Sequence, residues 1–508
     1  MNPANGRIIK NTGLLYLRLI FLTVVNLYAV RVTLDALGDV DYGIYNVVAS
    51  VVASLSVLTG AMTSASQRFL SFHLGKNDCR NYSHTFTLLL LAFLALSGVV
   101  VIVGEILGYF FVEKWLNIPA DRVGAAYVVY QFSLLSLVFS LITIPYNSSI
   151  VANERMGAFA AFSVVEGILK LAIAFALVWY LGDRLELYGV LMAAVSVIVF
   201  FMTMQYCHVK FRYCRYVWKW DKMIFMQLSQ YTGWNMFGSV SSMLANQGQA
   251  VLLNIFFGPV VNAAKAIADR LQHVINGFSV NLYMAVSPQI IKSYAAEDYR
   301  RALNLVVRTS KMSFLLIFVL SFPIICNMEG LLRIWLEEGV VTADMVGFSK
   351  LMLLYCMILT LEQPITRIIQ ATGDIKRYQV SVGVLTLSYI PVAAVVLWAG
   401  GSPVMSLVVL MIIMIMAQIV RVVVAHRQVQ LSYGDYLHNV MLPIFRVVII
   451  AVPLYWAVAT GQKDMQWMAI LVSTLATGVM GIGVAVIMGL DRNDRNMVME
   501  MVKNKLGR

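Results

Sequence analysis

Charge is what this sequence has least of. Asp, Glu, Lys and Arg make up 13% of its 508 residues, against roughly 25% in a soluble domain. With 60% apolar residues and a mean hydropathy of +0.77, that deficit excludes a water-soluble chain and leaves no room for a soluble domain of any size. Cysteine is scarce as well. The five residues Cys79, Cys207, Cys214, Cys326 and Cys356 contain no CxxC pair. Cys207 and Cys214 flank a basic segment beside His208, but the ligands are too few and too widely spaced for a metal. They read as unpaired thiols of a reducing compartment. A phosphate-binding GxxxxGK[ST] loop is missing, which excludes an ATP motor within the chain. No long outer loop carries an acidic cluster, so the sequence points away from an enzyme and needs no cofactor. The polar start, Met1–Gly13, leads into an apolar run without a small-residue cleavage site, the pattern of a retained first helix.

What the chain does have is apolar runs long enough to cross a bilayer. Fourteen are expected, near 14–36, 44–66, 85–112, 124–147, 158–181, 187–207, 224–257, 260–287, 309–328, 346–370, 379–399, 404–425, 441–460 and 467–489. The connections alternate in charge. One set is basic, from Arg7 and Lys10 through Arg68, Lys76 and Arg80, Arg155, Lys210–Lys222, Lys292–Lys311, Lys376 and Arg377, Arg421 and Arg427, to the tail from Arg492. The other is short and acidic or neutral, with Asp35, Asp39 and Asp41, Glu113, Asp121, Asp183, Glu186, Glu337, Glu338, Asp344 and Asp464, offset by Lys114, Arg122, Arg184, Arg333 and Lys463. The positive-inside rule then places both termini in the cytoplasm, with the chain in an inner membrane. The net charge of +12 follows from that topology and does not call for nucleic acid.

An internal repeat divides the fourteen. Thr12-Gly13 and Leu37-Gly38 bracket the first run, and Thr232-Gly233 and Phe257-Gly258 bracket the seventh, 220 residues on. Asp78 matches Asp298 at the same offset. Pro145…Ala152 matches Pro364…Ala371 at an offset of 219. Six helices followed by six share one orientation, as in transporters with parallel repeats. The expected organisation is an N-terminal six-helix lobe over 1–207, a basic linker over 208–223, a second six-helix lobe over 224–425, two further helices over 441–489 and a basic tail over 490–508.

Ionisable and amide groups inside spans are costly, and they mark cavities or pathways. The eighth span carries Lys265, Asp269, Gln272, His273, Asn276, Ser279 and Tyr283 on one stripe, with Arg270 beside it. The seventh carries Asn235, Ser239, Ser242, Asn246 and Gln249. Two such faces predict a water-filled cavity. The second span offers Ser56, Thr59 and Thr63, and the first Arg18, Asn26 and Arg31. Arg18 shares the side of Asn26 and reads as a cavity residue, whereas Arg31 reads as snorkelling to headgroups. Glu166 and Lys170 stand at i and i+4, the favourable order for an ion pair. Asp269, Glu362 and Glu166 are the candidates for coupling to a proton or sodium gradient.

The run Leu37-Gly38-Asp39-Val40-Asp41-Tyr42-Gly43-Ile44-Tyr45, then Ser66-Gln67-Arg68-Phe69-Leu70-Ser71 and Leu74-Gly75, resembles the N-terminal region of bacterial polysaccharide transporters. These are Wzx-type lipid-linked oligosaccharide flippases of the multidrug/oligosaccharidyl-lipid/polysaccharide exporter (MOP) superfamily. Ala371-Thr372-Gly373-Asp374 is similar to that family too. The resemblance implies two six-helix lobes around a cavity, with two added helices. It implies alternating-access flipping of an undecaprenyl-pyrophosphate-linked glycan for O-antigen or capsule. Arg18, Lys265 and Arg270 would then meet the pyrophosphate, in a monomer surrounded by membrane lipid and working alongside a glycan polymerase and glycosyltransferases. Two alternatives stand beside it. One is a multidrug or organic-cation antiporter of the same superfamily, for which Glu362 and Asp269 are the best residues. The other is a membrane-embedded glycosyltransferase or polymerase, which the short outer loops disfavour.

Overall fold

The computed structural model describes residues 3–55, 59–110, 118–119, 121–217, 221–336, 341–459, 467–491 and 495. Ser56, the loop charges Glu113, Lys114, Lys219, Glu337, Glu338, Lys463, Asp464 and Arg492, and the tail beyond 495 lie outside the described residues. Among the described residues the chain is helical, without strands. Its helices are α1 (Pro3–Ser54), α2 (Thr59–Gly75), α3 (Cys79–Phe110), α4 (Val123–Ala152), α5 (Met156–Trp179), α6 (Arg184–Lys210), α7 (Lys222–Phe257), α8 (Pro259–Ala295), α9 (Tyr299–Cys326), α10 (Met328–Trp335), α11 (Ala343–Thr372), α12 (Lys376–Leu387), α13 (Tyr389–Trp398), α14 (Met405–Val429), α15 (Tyr433–Tyr436), α16 (Leu442–Ala459) and α17 (Trp467–Val484).

Among the described residues, eleven segments are long and apolar enough to cross a membrane. The fourteen expected spans are roughly consistent with that count. The first segment, Gly6–Val52, takes in two of them, which meet at the non-helical Gly38. Helices α7 and α8 are 36 and 37 residues long but too polar to qualify. Large apolar side chains face outward along the bundle: Leu27 is 71% exposed, Leu475 72% and Val479 71%. In water such a surface would aggregate; in a bilayer it is solvated. The chain is a multi-pass membrane protein.

The helix breaks explain the repeat. Gly38 (φ 77°) and Gly258 (φ 78°) hold a backbone conformation closed to side chains. Asn77 and Glu297 are left-handed, and so are Glu154 and Gly373. These pairs stand 220, 220 and 219 residues apart. At Asn77, Glu154 and Glu297 the turn closes as a Schellman motif: Asp78 N donates to His73 O (2.9 Å), Arg155 N to Ile150 O (3.0 Å) and Asp298 N to Ser293 O (2.9 Å). Asp78 and Asp298 then cap the following helices through Asn81 N (3.0 Å) and Arg301 N (3.1 Å). Pro145 and Pro364 lie inside the matching helices α4 and α11.

The chain divides into two compact units, Met1–Ser239 and Val240–Arg508. In the first, α4 contacts α6, α3, α2 and α1, and α1 packs along α5. One buried cluster joins Ile44, Val48 and Val52 to Ala125, Val129, Tyr130 and Leu185; another joins Phe93 and Val100 to Leu134 and Leu141. Close approach of α3 to α4 needs Gly108, where an added Cβ would fall 2.3 Å from the Tyr130 ring. A salt-bridged triad ties three helices of this unit: Arg122 donates to Asp41 and, at 2.7 Å, to Asp183, which also caps α6. In the second unit α11 lies against α8, α9 and α14. The two added helices rest on α9, where Asn327 Nδ2 donates to Thr477 Oγ1 (3.1 Å) and the buried Lys311 Nζ meets Asp491 at 2.6 Å.

Candidate functional site

The second unit contains a polar recess of about 190 Å³. Its walls come from α7 (Ser242, Ala245, Asn246), α11 (Tyr355, Leu359, Glu362, Gln363), α12 (Thr386) and α14 (Leu410, Met414, Arg421). Arg421 Nη2 lies 2.9 Å from Glu362 Oε1; the Arg421 side chain is 4% exposed and that of Glu362 22%. Both side chains border the recess, the carboxylate the more open of the two and the guanidinium almost wholly buried. Tyr355 and Tyr378 lie close enough to Arg421 to interact with it electrostatically, and Tyr378 also shares a hydrogen bond with Thr366 (3.1 Å).

Local sequence explains why α11 can present Glu362 there. Pro364 has no N–H and its ring crowds the carbonyl of the preceding turn. In that loosened turn Gln418 Nε2 of α14 donates to Leu361 O at 2.9 Å, with Tyr436 OH 3.2 Å away. The helix is thus weakened at the carboxylate and clamped from the neighbouring helix.

The structure regroups the residues expected to line one cavity. Ser242, Asn246 and Glu362 meet in the recess. Asn235 belongs to the first unit, buried, with Nδ2 donating to Ala61 O (3.0 Å). Gln249 is buried and donates to Ser406 Oγ (3.3 Å). The continuous α7 face expected from the sequence therefore splits, because its amides alternate between helix-to-helix bonds and open space. Ser239 is half-buried between them. On α8, Lys265 Nζ pairs with Asp269 Oδ2 at 2.6 Å, the lysine side chain 9% exposed. Lys265 is thus engaged by a neighbouring turn of its own helix, not left as a free cavity cation. Arg270 and His273 are exposed and Gln272 and Asn276 half-buried; the Gln272 carbonyl accepts from Cys356 Sγ (3.9 Å) on α11. None of these α8 residues lines the recess.

In the first unit Arg18 is half-buried, its guanidinium 4.7 Å over the Phe159 ring and within electrostatic reach of Glu166. Glu166 is bonded to Lys170 at 2.6 Å. The buried Nε of Arg18 has no hydrogen-bond partner among the described residues. Asn26 and Arg31 are exposed on the same helix. Cys207 and Cys214 are buried, the first bonding to Tyr146 O (3.5 Å) and the second facing Ser149 Oγ (3.7 Å). Cys207 fastens α6 to α4, and Cys214 fastens the segment after α6 to the same helix.

Arg421 was missed as a site residue because it read as a loop charge. It lies eight residues inside the end of α14, two turns deep, and a cation that far into an apolar run needs a counter-charge. That depth was the available signal. Tyr355, Gln363 and Thr386 carried none, since isolated polar residues in an apolar run look like ordinary packing.

The fold is MATE-like. A family model described as MatE matches residues 236–398. The structure is similar to a MATE protein solved in a straight conformation (12% identity, TM-score 0.70, covering 84% of this chain and 96% of that one). It is equally similar to the outward-facing form of a multidrug resistance MATE family transporter of the MOP superfamily (12%, TM-score 0.70, 84% and 96%). A third likeness is to a MOP superfamily transporter from Pyrococcus furiosus described as having a binding pocket of reversed polarity (12%, TM-score 0.67, 83% and 96%). No curated protein matches the sequence.

Proposed function

We propose that this chain is a secondary transporter of the MOP superfamily, moving an amphipathic organic substrate by alternating access in exchange for a cation bound at Glu362. The Glu362–Arg421 pair carries the proposal. A proton or metal cation that reaches the open carboxylate removes the counter-charge of a sealed guanidinium. An uncompensated buried charge costs several kcal/mol. Loaded and empty states then favour different packings of α11 against α14, and Pro364 supplies the place to bend. This is the two-state element that coupled transport requires.

Multidrug export is favoured over the lipid-linked oligosaccharide that the sequence put first. The solved structures of this fold include multidrug transporters. Lys265, one of three cations assigned to a pyrophosphate, is already held by Asp269. Proteoliposomes loaded with a fluorescent organic cation test the reading: an imposed proton or sodium gradient should drive its movement in wild type and not in Glu362→Gln. Dye movement indifferent to both gradients would remove it.

A second reading keeps the lipid-linked oligosaccharide. It is supported by the Leu37–Tyr45 segment and by the Arg18 Nε without a partner. A deletion strain separates the two. Raised drug sensitivity with normal surface glycan supports export; glycan-lipid accumulating on the cytoplasmic leaflet, with unchanged drug sensitivity, supports the flippase and its inner-membrane setting with cytoplasmic termini.

A further inference from the structure

A second recess, of about 470 Å³, opens in the first unit, lined by Arg7, Lys10, Asn11, Asn153, Glu154 and Arg155 with Leu14, Gly157, Ala158 and Tyr206. Nothing in the transport reading uses it. Three cations against one carboxylate give its rim a net positive charge. Its floor is fixed. The left-handed Glu154 sets the turn between α4 and α5, and Asn11 Nδ2 of α1 donates to Glu154 O (3.2 Å). The first turn of α5 contributes Gly157 and Ala158 to the wall, which places the positive end of a 24-residue helix beside the same space. The Asn11 and Asn153 carboxamides are held within the protein, Asn11 on Glu154 O and Asn153 between Ser149 O and Tyr213 OH, and so brace the walls. Cations and a helix start converging on one recess are the elements of a phosphate cradle.

On α1 the lining residues Arg7, Asn11 and Leu14 follow one another at helical spacing.

From this geometry we infer that the α1–α4–α5 recess binds a phosphate group, with Arg7, Lys10 and Arg155 as ligands. Basic recesses between helices of membrane proteins take lipid headgroups in this way. The inference does not depend on the transport reading, because binding is measured without transport.

Full-length protein in neutral detergent is titrated with inorganic pyrophosphate by calorimetry. In parallel, lipid retained from phosphatidylglycerol or phosphatidylcholine nanodiscs is read by native mass spectrometry. Pyrophosphate should bind wild type and lose about a hundredfold in affinity in Arg7→Gln/Lys10→Gln/Arg155→Gln, at about fivefold per cation. Glu154→Gln, which removes the opposing carboxylate, should bind about fivefold tighter. Retention of phosphatidylglycerol that pyrophosphate displaces assigns the site to a lipid headgroup. Pyrophosphate binding without lipid retention assigns it to a soluble or substrate phosphate. Wild-type affinity in the triple variant overturns the inference, and so does an unchanged affinity in Glu154→Gln, which decides the matter if the triple variant does not fold.

Discussion

Replacing Glu362 by Gln leaves the Arg421 guanidinium, 4% exposed, without its counter-charge. At 2.9 Å and an effective dielectric constant of about 20, the attraction between the two is about 6 kcal/mol. Much of that only offsets the desolvation of two ions, so the cost of removing one partner is the useful quantity, about 3–5 kcal/mol for a buried pair. The recess beside Glu362 admits water, which puts Glu362→Gln at the lower end, about 3 kcal/mol. Arg421→Gln should cost less, about 2 kcal/mol, because the carboxylate it abandons faces that water. The double variant should be no worse than Arg421→Gln, giving a coupling of about 3 kcal/mol. Unfolding in mixed micelles, followed by circular dichroism on all four proteins, measures the cycle. A coupling under about 0.5 kcal/mol, the range of independent sites, would refute the claim that the pair is an energetic unit. So would equal costs for the two single variants, because the asymmetry follows from which side chain is sealed.

Further predictions follow from the breaks and the triad. Gly38→Ala and Gly258→Ala should each cost about 1–3 kcal/mol through backbone strain alone, since an added Cβ meets nothing within 4 Å at either; Gly43→Ala, equally open but helical, should be neutral or stabilising, and equal costs at all three sites would sink the reasoning. Arg122→Gln strands Asp41, whose side chain is 8% exposed, and should cost about 2–3 kcal/mol. Asp183→Ala should cost about 1 kcal/mol more than Asp183→Asn, which retains an oxygen to cap α6. Burial lowers the His73 pKa to about 4, while the unfolded value is near 6.5. The unfolded state therefore binds the extra proton between those values, and stability should fall as pH drops from about 6.5 toward 4. His73→Gln should flatten that part of the pH profile, and an unaltered slope would mean that another group is responsible.

The repeat was legible because it is written in residues that obey backbone rules. Gly38 and Gly258 stand where φ is positive, Asp78 and Asp298 where helix starts need an acceptor, and Pro145 and Pro364 inside matching helices. Such constraints are local, so one sequence suffices to show them. The site was half legible. Glu362, Ser242 and Asn246 stood out as polar groups in apolar runs, and the recess gathers them. Arg421 did not, because a cation near a span's end has the same sequence appearance whether it faces water or a carboxylate on another helix. Helical spacing also placed Lys265 and Asp269 on one face of α8, and the same i, i+4 geometry pairs them.

Helices α7 and α8 fall short of the apolarity that lets a segment cross a membrane unaided. That has a consequence for how the chain is made. A translocon sorts each emerging segment by its partition free energy, and a central Lys or Asp opposes release into lipid by about 2.5–3.5 kcal/mol. The Lys265–Asp269 bridge reduces that penalty inside α8 before any partner has been synthesised. Insertion of α8 should therefore depend on α9 and α11, its neighbours in the second unit, and a chain truncated before α9 should release α8 into the bilayer less completely than the full chain does.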